Sequence, residues 1–399
     1  MMTKTMEIKE DRYSKRGVSS DKKEVHQAIK NIDKGLYPNA FCKILPDVVA
    51  NQDEYCNIMH ADTAGTKTSI AYLYWKETGD LSVWEGVVQD SIVMNLDDMA
   101  CVGCTNDILL SSTVGRNKFY ISGEVINSII NASEKLKKHL SNFGINLHLT
   151  GGETADVNDI VRTIDIGFTA FARLNKKQVI ENNIQPGNVI VGLASYGKAT
   201  YETEYNSGIG SNGLTSAKHD ILNKIYAQKY PESYDQANLQ SDIAFTGSKF
   251  LTDTLSVDNQ KITIGKLMLS PTRTFLPVMK KVLELDHSKI NGIIHCTGGG
   301  QTKVLKFTNN VHIIKNNLFE TPPIFQLIQS ESNASWEEMY RVFNMGNRME
   351  FYVDESIADH IIQIANQFDI EARIIGKVEQ SQKNELTIRS NEGTFYYQN

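Results

Sequence analysis

Four glycine-rich segments, each of which follows a predicted β-strand, constrain this chain more than any other feature. They are HADTAGTK (60–67), TGGETAD (150–156), GIGSNG (208–213) and CTGGGQTK (296–303). Three glycines in a row carry a high cost in backbone entropy and add no side chain to a core. Backbone N–H groups at such turns can bind anions. We therefore predict an anion site at these turns, with ordinary turn geometry as the alternative.

Carboxylates accompany the first two turns and the helix predicted between them. Asp62 ends the first strand, Glu153 lies within the second turn, and NLDD places Asp97 and Asp98 on the helix. Neighbouring carboxylates repel one another unless a cation neutralises them, and oxygen ligands alone suit Mg²⁺. Lys67 beside them suits a polyphosphate. The alternative, a solvated helix face, is disfavoured because the neighbours of Asp97 and Asp98 in the sequence are apolar.

An arginine near the start of a predicted helix is a second indication of an anion. The segment 270–285 predicts a helix with Ser270 as its N-cap and Pro271 at its first position. Arg273 then lies in the first turn, where the helix dipole disfavours a cation. A bound anion would explain this arginine, and an exposed surface position would explain it equally well.

The periodicity of apolar residues predicts the fold class α/β (α+β), with two mixed α/β domains. The polar segment 175–187, which ends in Pro-Gly, is the predicted boundary between them. Residues 231–261 are weakly patterned and predict a surface excursion. The other predicted elements are strands at 55–60, 107–115, 145–155, 162–174, 188–195, 348–353, 371–378 and 384–389, and helices at 66–79, 84–103, 122–143, 213–230, 335–346 and 356–369.

Composition excludes several classes of protein. The 399 residues carry a net charge of −6, so no basic surface for nucleic acid is expected, and no apolar run is long enough to span a membrane. Five scattered cysteines and an N-terminus without an apolar core predict a cytoplasmic protein. Cys101 and Cys104 form a C-x-x-C without a second pair, which favours two small residues on a packed helix over a zinc site.

Seven motifs occur in an order that resembles one known family. They are HADTAGTK, MNLDDMACVG, TGGETAD, SNGLTSAK, LSPTRTF, IIHCTGGGQTK and EEMYRVFNMG, spread over residues 55–378. Together they resemble the phosphoribosylformylglycinamidine cyclo-ligases, the AIR synthetases of the PurM-like ATP-binding superfamily. The resemblance implies ATP and Mg²⁺ as cofactors, a ribonucleotide as substrate, and a homodimer paired through its N-terminal sheets. It also implies an N-terminal extension (1–54), an ATP-binding and dimerising domain (55–178) and a substrate-phosphate domain (179–399).

The same resemblance assigns roles to individual residues. His295, Lys67 and Asp98 are the candidate catalytic residues, although His295 is as readily explained as a histidine satisfied at a strand end. Asp62, Asp98 and Glu153 would hold the metal. The ATP-binding candidates are Asp62, Gly65, Thr66, Lys67, Asp97, Asp98, Gly151, Gly152, Glu153 and Thr154. The substrate-binding candidates are Ser211, Asn212, Gly213, Arg273, Thr297, Gly298, Gly299 and Gly300.

Several positions depart from the family motifs. Gly210 stands where the family has a histidine, so that His219 becomes a candidate substitute, and NMGNRM places Asn347 and Arg348 near the site. The N-terminal segment 17–24 keeps only Asp21 of its two acids. The segment 198–208 and much of 231–261 resemble insertions.

The implied function is the ATP-dependent closure of formylglycinamidine ribonucleotide to aminoimidazole ribonucleotide in purine biosynthesis. One alternative is another PurM-like ATP-dependent enzyme, a small-molecule kinase or synthetase, which the departures favour. A second alternative is a non-catalytic nucleotide-binding or scaffold protein, which the departures in the N-terminal segment 17–24 favour. Fold-level resemblance alone does not fix function.

Overall fold

Two mixed β-sheets with helices packed against them form the frame of the molecule, which confirms the predicted fold class. The computed structural model describes residues 12–18 and 23–398. The first unit contains strands β1 (Ile44–Pro46), β2 (Tyr55–Thr63), β3 (Ile108–Arg116), β4 (Leu147–Asp156) and β5 (Ile164–Asn175), and helices α1 (Arg12–Lys15), α2 (Lys23–Ile29), α3 (Lys67–Thr78), α4 (Val83–Ala100) and α5 (Gly123–Ser141). Its strands lie in the order β1-β2-β5-β3-β4, antiparallel except for the pair β3–β4.

The second unit is built on a seven-stranded sheet. The strands of the second unit, in the main sheet and in two small ones, are β6 (Val189–Ala194), β7 (Tyr196–Gly197), β8 (Asn206–Ser207), β9 (Thr254–Val257), β10 (Gln260–Thr263), β11 (Ile290–His295), β12 (Val311–Lys315), β13 (Asn347–Val353), β14 (Ala372–Gln380), β15 (Glu385–Ser390) and β16 (Gly393–Gln398). Its helices are α6 (Leu214–Ile221), α7 (Ile225–Lys229), α8 (Ile264–Met268), α9 (Leu276–Val282), α10 (Pro323–Ser332), α11 (Trp336–Val342) and α12 (Glu355–Asn366). The sheet order is β11-β13-β6-β14-β12-β15-β16, and β7–β8 and β9–β10 form separate two-stranded sheets.

The polar segment 175–187 separates the two sheets, since β5 ends at Asn175 and β6 begins at Val189. Strand β1 pairs with β2 although it lies within the predicted extension 1–54. The first sheet therefore starts earlier in the chain than residue 55. The domain limits 55–178 and 179–399 stay predictions.

Helix α4 is buried along almost its whole length, with only Glu85 and Gln89 not fully buried. A helix that is apolar all round belongs in a protein interior. Its buried Ser91 and Asn95 bind residues of the first unit, whereas its aspartates Asp90, Asp97 and Asp98 all bind residues of the second unit. Helix α4 therefore packs within the first unit and also contacts the second.

Two predicted helices differ in the structure. The helix predicted over 270–285 begins only at Leu276, and Asp97 of α4, not Ser270, accepts the N–H of Phe275 at its start. The helix predicted over 213–230 is divided into α6 and α7. The division occurs where Leu222 forms a bridge with Lys249. In both cases a tertiary contact limits a helix that the local sequence pattern predicts to be longer.

The TGGETAD segment is part of strand β4, not a turn after a strand. The register of β4 against β3 shifts between Leu110 and Ser112. Gly151 has φ +89° there, and a Cβ at Gly152 would lie 2.1 Å from the carbonyl oxygen of Ser112. The two glycines are therefore required by an irregularity in the sheet.

The segment 231–261 is not a simple surface excursion. Phe245 and Leu251 are fully buried, and Gly247 packs so tightly on the end of α6 that a Cβ would lie 2.1 Å from the Ile221 oxygen. The first part of this segment covers α6, while its end forms the β9–β10 hairpin. The sequence missed this packing because the few buried residues are widely spaced.

A fully buried ion pair joins β12 to β13. Lys315 Nζ lies 2.5 Å from Glu350 Oε1 and also donates to the backbone and side-chain oxygens of Gln301. Glu350 accepts further hydrogen bonds from Asn347 Nδ2 and Tyr352 Oη. Because Gln301 directly follows the glycine triplet, this network fixes the base of the 296–303 loop.

We expect Lys315→Met to lower the free energy of unfolding by about 3–5 kcal/mol, because it leaves Glu350 buried without its partner. Denaturant unfolding measures the loss. Lys135→Met, which removes an exposed pair with Glu85, is the control and should cost less than about 1 kcal/mol. Equal losses for the two variants would contradict this account.

Candidate active site

Two carboxylates meet where β2 and α4 approach each other. Asp98 Oδ2 lies 3.4 Å from His60 Nε2, and Asp62 is half-buried beside them. Burial raises the pKa of Asp62, and the Asp98 charge raises it further. The neighbouring negative charges and all-oxygen chemistry of this pair suit a hard cation.

His295 is fully buried and both of its ring nitrogens have partners. Nδ1 lies 2.7 Å from Asp98 Oδ1, and Nε2 accepts a hydrogen bond from Arg348 Nε at 2.9 Å. Burial lowers the pKa of His295 to about 4. Against the effect of burial, Lys303 and the His295 hydrogen bond lower the pKa of Asp98 to about 2. In this arrangement His295 holds the Asp98 carboxylate in place, and its proposed part in proton transfer stays a prediction.

The glycine triplet lies next to this carboxylate pair. Lys303 Nζ donates to Thr297 Oγ1 at 2.5 Å and lowers the pKa of both carboxyls electrostatically. A Cβ at Gly298 would find its nearest atom, Asn212 Nδ2, only at 3.8 Å. The 208–213 loop, the triplet and the two carboxylates therefore converge.

The three glycines have three different structural settings. Gly298 is exposed and open, and Gly299 has φ +97°. A Cβ at Gly300 would lie 2.5 Å from the Phe343 oxygen and 2.6 Å from the Tyr340 oxygen. Gly300 is thus required by the chain's own backbone, so the anion hypothesis is needed only for the first two.

Ser211, Asn212 and Gly213 continue the same rim. Ser211 Oγ lies 3.4 Å from Thr272 Oγ1, while Gly213 has no room for a side chain because of the Phe343 ring. On the opposite side, Gly65 is exposed and Thr66 Oγ1 lies 2.5 Å from Thr215 Oγ1. These residues are placed where ligands could reach them, and their binding roles stay predictions.

Lys67, Asp97 and Arg273 turn inwards, contrary to the expectation that they face ligands. Lys67 Nζ donates to Asp90 Oδ1 at 2.8 Å and to the Ser270 oxygen at 2.5 Å. Asp97 accepts from Thr274 and Phe275, and burial raises its pKa to about 7. Arg273 is 1% exposed and forms a two-pronged pair with Glu202, a residue of the supposed insertion 198–208. Lys67 and Asp97 link the two units, and Arg273 stabilises the second unit.

Glu153 does not join the carboxylate pair within one chain. Thr63, Gly167, Thr113 and Glu153 lie opposite one another across four strands. Glu153 therefore lies on the same face of the first sheet as Thr63. Asp62 directly precedes Thr63 in β2, so its side chain points to the other face. Four strands also put the two acids about 14 Å apart. The predicted set of three metal ligands is not assembled, and the residues 151–154 are exposed on this edge strand.

Gly210 and Arg348, two departures from the family motifs, touch each other. Arg348 is 2% exposed, and a Cβ at Gly210 would lie 2.1 Å from its Nη1. No carboxylate of the described chain lies within ion-pair distance of this guanidinium. The space beside Gly210 is filled by Arg348, and the glycine is the condition for that placement.

His219 does not take the place of an imidazole at position 210. Its ring packs against Phe245 with centroids 4.6 Å apart, and Nδ1 accepts from the Phe245 N–H. Burial lowers the pKa of His219 to about 2. Asp21 lies outside the described residues.

All five cysteines are buried and free. Cys42 Sγ donates to the Asp98 backbone oxygen at 3.2 Å, and burial raises the pKa of its thiol. Burial raises the pKa of Cys104 to about 12. Among the described residues, no group of three histidine, cysteine or acidic side chains has a metal-binding arrangement.

Sequence reasoning missed two polar residues of the site, Lys303 and His60. Lys303 and His60 lie within glycine-rich segments that the sequence did single out, yet neither was proposed as a site residue. Their signal was a titratable side chain in the same turn as the predicted ligands.

Comparison with known proteins gives the family. The AIR synthase related protein N-terminal domain matches residues 45–174, and the corresponding C-terminal domain matches residues 257–389. The phosphoribosylformylglycinamidine cyclo-ligase of Methanococcus vannielii is 31% identical over 93% of this chain and 89% of its own length. This chain belongs to the AIR synthase family. The cyclo-ligase of Methanocaldococcus jannaschii is 30% identical over 82% of this chain and 79% of its own.

Solved structures share the fold at low sequence identity. A chain of the HypE–HypF complex aligns with a TM-score of 0.53 at 13% identity, over 94% of this chain and 98% of its own. Thermotoga maritima PurL complexed with AMPPCP aligns with a TM-score of 0.51 at 11% identity, over 97% of this chain and 48% of its own. No helix in the described part of the chain has the length and apolar character needed to cross a membrane.

We expect Gly210→Ala to cost more in stability when Arg348 is present than when it is absent. The left-handed φ of +67° alone costs about 1–2 kcal/mol, and the contact with Nη1 adds to it. The unfolding free energies of the single variants and of Gly210→Ala/Arg348→Ala form a double-mutant cycle. Gly79→Ala, with φ +73° and open space, is the control for backbone strain. An equal cost in both backgrounds would remove the proposed coupling.

We expect His219→Asn to flatten the pH dependence of stability between pH 6.5 and 4. The folded imidazole stays neutral in this range while the unfolded one gains a proton, so wild-type stability falls as the pH falls. The variant should lose less, by up to about 1.4 kcal/mol per pH unit. Denaturant unfolding at four pH values measures the slopes, and parallel slopes would contradict the buried neutral imidazole.

Proposed function

We propose that this protein closes the imidazole ring of aminoimidazole ribonucleotide from formylglycinamidine ribonucleotide, using ATP. The support is a single combination: near full-length similarity to cyclo-ligases, and the convergence of Asp62 and Asp98 with the 296–303 loop through Lys303. Transfer of a phosphoryl group depends on positioning and charge neutralisation more than on covalent catalysis by the protein.

The residues fit a Mg²⁺ ion held by Asp62 and Asp98, with phosphate oxygens and water as further ligands. The ion would neutralise charge on the transferred phosphoryl group. His295 and His60 orient the Asp98 carboxylate, while Thr297 and the N–H groups at Gly298 and Gly299 provide neutral donors for the substrate phosphate. The γ-phosphoryl group of ATP passes to the formyl oxygen and ADP is released. The amidine nitrogen then attacks the activated carbon, and phosphate and a proton leave.

A homodimer paired through the first sheet is part of the proposal. The face of this sheet opposite the helices exposes Met59 and Leu109. The same face carries Glu153, so that pairing would change the surroundings of this acid. A cytoplasmic location stays a prediction.

The direct test is to incubate the purified full-length protein with formylglycinamidine ribonucleotide, ATP and Mg²⁺ and to assay aminoimidazole ribonucleotide. Product that requires all three components supports the proposal. ATP turnover that depends on a different small molecule would favour another PurM-like kinase or synthetase, and the buried Arg348 beside Gly210 is the observation behind that candidate.

We expect Asp62→Asn to lower kcat/KM by at least about tenfold while the metal-free melting temperature stays equal or rises. The change removes a metal ligand but also relieves repulsion with Asp98, which contributes to the raised pKa of Asp62. Activity and thermal melting with and without Mg²⁺ and ATP provide the measurements.

The matched control is Asp159→Asn, an exposed acid between β4 and β5, which should leave both measurements unchanged. Full activity of Asp62→Asn would exclude Asp62 from the metal site.

A further inference from the structure

A cavity of about 480 Å³ lies beside the first glycine-rich turn and shares only Thr66 and Thr215 with the site described so far. We call it the Lys218 cavity. It is lined by the start of α3, helix α6 and the segments 14–17, 161–164 and 233–239, and none of the residues 297–300 lines it. The side chains that matter for its chemistry are those of Thr66, Ser69, Arg162, Thr215, Lys218 and Tyr234.

Lys218 is a buried cation whose hydrogen-bond partners are neutral. It is 2% exposed, and its Nζ donates to Ser69 Oγ at 3.1 Å and to the Ser233 backbone oxygen at 2.9 Å. An ammonium group has three donors, so one remains for a ligand. Among the described residues, no carboxylate forms an ion pair with it, in contrast to Lys67 and Lys315.

An isolated buried charge is costly, and burial lowers the pKa of Lys218 to about 7. An anion in the cavity would supply the missing partner.

Further cations line the cavity: Arg162, Lys15 and Arg16, of which Arg16 is paired with Asp220. Arg162 lies 2.6 Å from Asp235, a carboxylate that also lines the cavity, and its side chain is 48% exposed. The hydroxyl groups of Thr66 and Thr215, which also line the cavity, lie 2.5 Å apart and join the two units. Gly65, which precedes Thr66, leaves open space above the turn.

Because Lys67 points inward, a phosphate chain at the first turn would have to be contacted by another cation. A phosphate chain at the first turn cannot pair with Lys67, whose Nζ is held by Asp90. Lys218 reaches the start of α3 through its hydrogen bond to Ser69, two residues after Lys67. Lys218, a residue of the second unit, is therefore a lysine placed at the start of α3.

We propose that the Lys218 cavity binds the polyphosphate chain of the nucleotide, with Lys218 and Arg162 as cationic contacts and Thr66 and Thr215 as hydroxyl donors. This assignment rests on the proposed use of ATP. The substrate's ribose phosphate is the other source of the same chemistry, but the triplet loop where it is expected does not border the cavity.

The test is calorimetric titration of the full-length protein with inorganic tripolyphosphate and, separately, with ribose 5-phosphate. We expect Lys218→Met to weaken tripolyphosphate binding at least tenfold and Arg162→Met at least threefold, without changing ribose 5-phosphate binding. Lys229→Met, an exposed lysine paired with Glu77, is the control and should bind as wild type. In the cyclisation assay, Lys218→Met should raise KM for ATP and not for the ribonucleotide.

Wild-type-like tripolyphosphate binding in a folded Lys218→Met protein, or loss of ribose 5-phosphate binding instead, would overturn the assignment. Absence of tripolyphosphate binding to the wild type would overturn it too. If Lys218→Met fails to fold, unchanged tripolyphosphate binding in Arg162→Met would equally overturn it. Tripolyphosphate binding that depends on the cavity in a protein that forms no aminoimidazole ribonucleotide would refute the proposed reaction and leave the cavity assignment intact.

Discussion

Three aspartates of helix α4, at the boundary between the two units, hold this molecule together. Asp90 accepts hydrogen bonds from Lys67 Nζ and from the backbone and hydroxyl of Thr272, while Asp97 caps the start of α9. Asp98 continues the series to His295. Buried carboxylates are tolerated only when charged or polar partners satisfy them. Each aspartate of α4 therefore fixes a different part of the second unit relative to the first, and the convergence of the loops depends on this.

The sequence was sufficient for most of the elements and for the three glycine-rich segments that converge, 60–67, 208–213 and 296–303, because apolar periodicity and glycine turns are local signals. It was not sufficient for the direction of individual side chains. Lys67 follows an exposed turn yet points inward, since a carboxylate one helix away attracts it. Arg273 was placed in a helix that begins three residues later, where Glu202 from a remote loop pairs with it. Such outcomes depend on partners that are distant in the sequence.

Glycine is required in this chain for at least three different structural reasons, and the sequence alone does not distinguish them. Gly152 and Gly300 avoid collisions with neighbouring backbone, Gly210 makes room for a guanidinium, and Gly65 borders open space. Only the last setting, shared with Gly298, leaves a surface for a ligand. Strand parity was a second obstacle: Glu153 and Asp62 sit at adjacent levels of one sheet, but a difference of one residue puts them on opposite faces.

The reactivity of the Cys42 thiol reports on motions at the boundary between the two units. It lies against the backbone of Asp98, and both its burial and its raised pKa keep it unreactive while the segment around it stays packed on α4. An alkylating reagent can modify it only during a transient separation of that segment from the helix. The modification rate at this single sulfur atom thus measures how often the segment around Cys42 separates from α4.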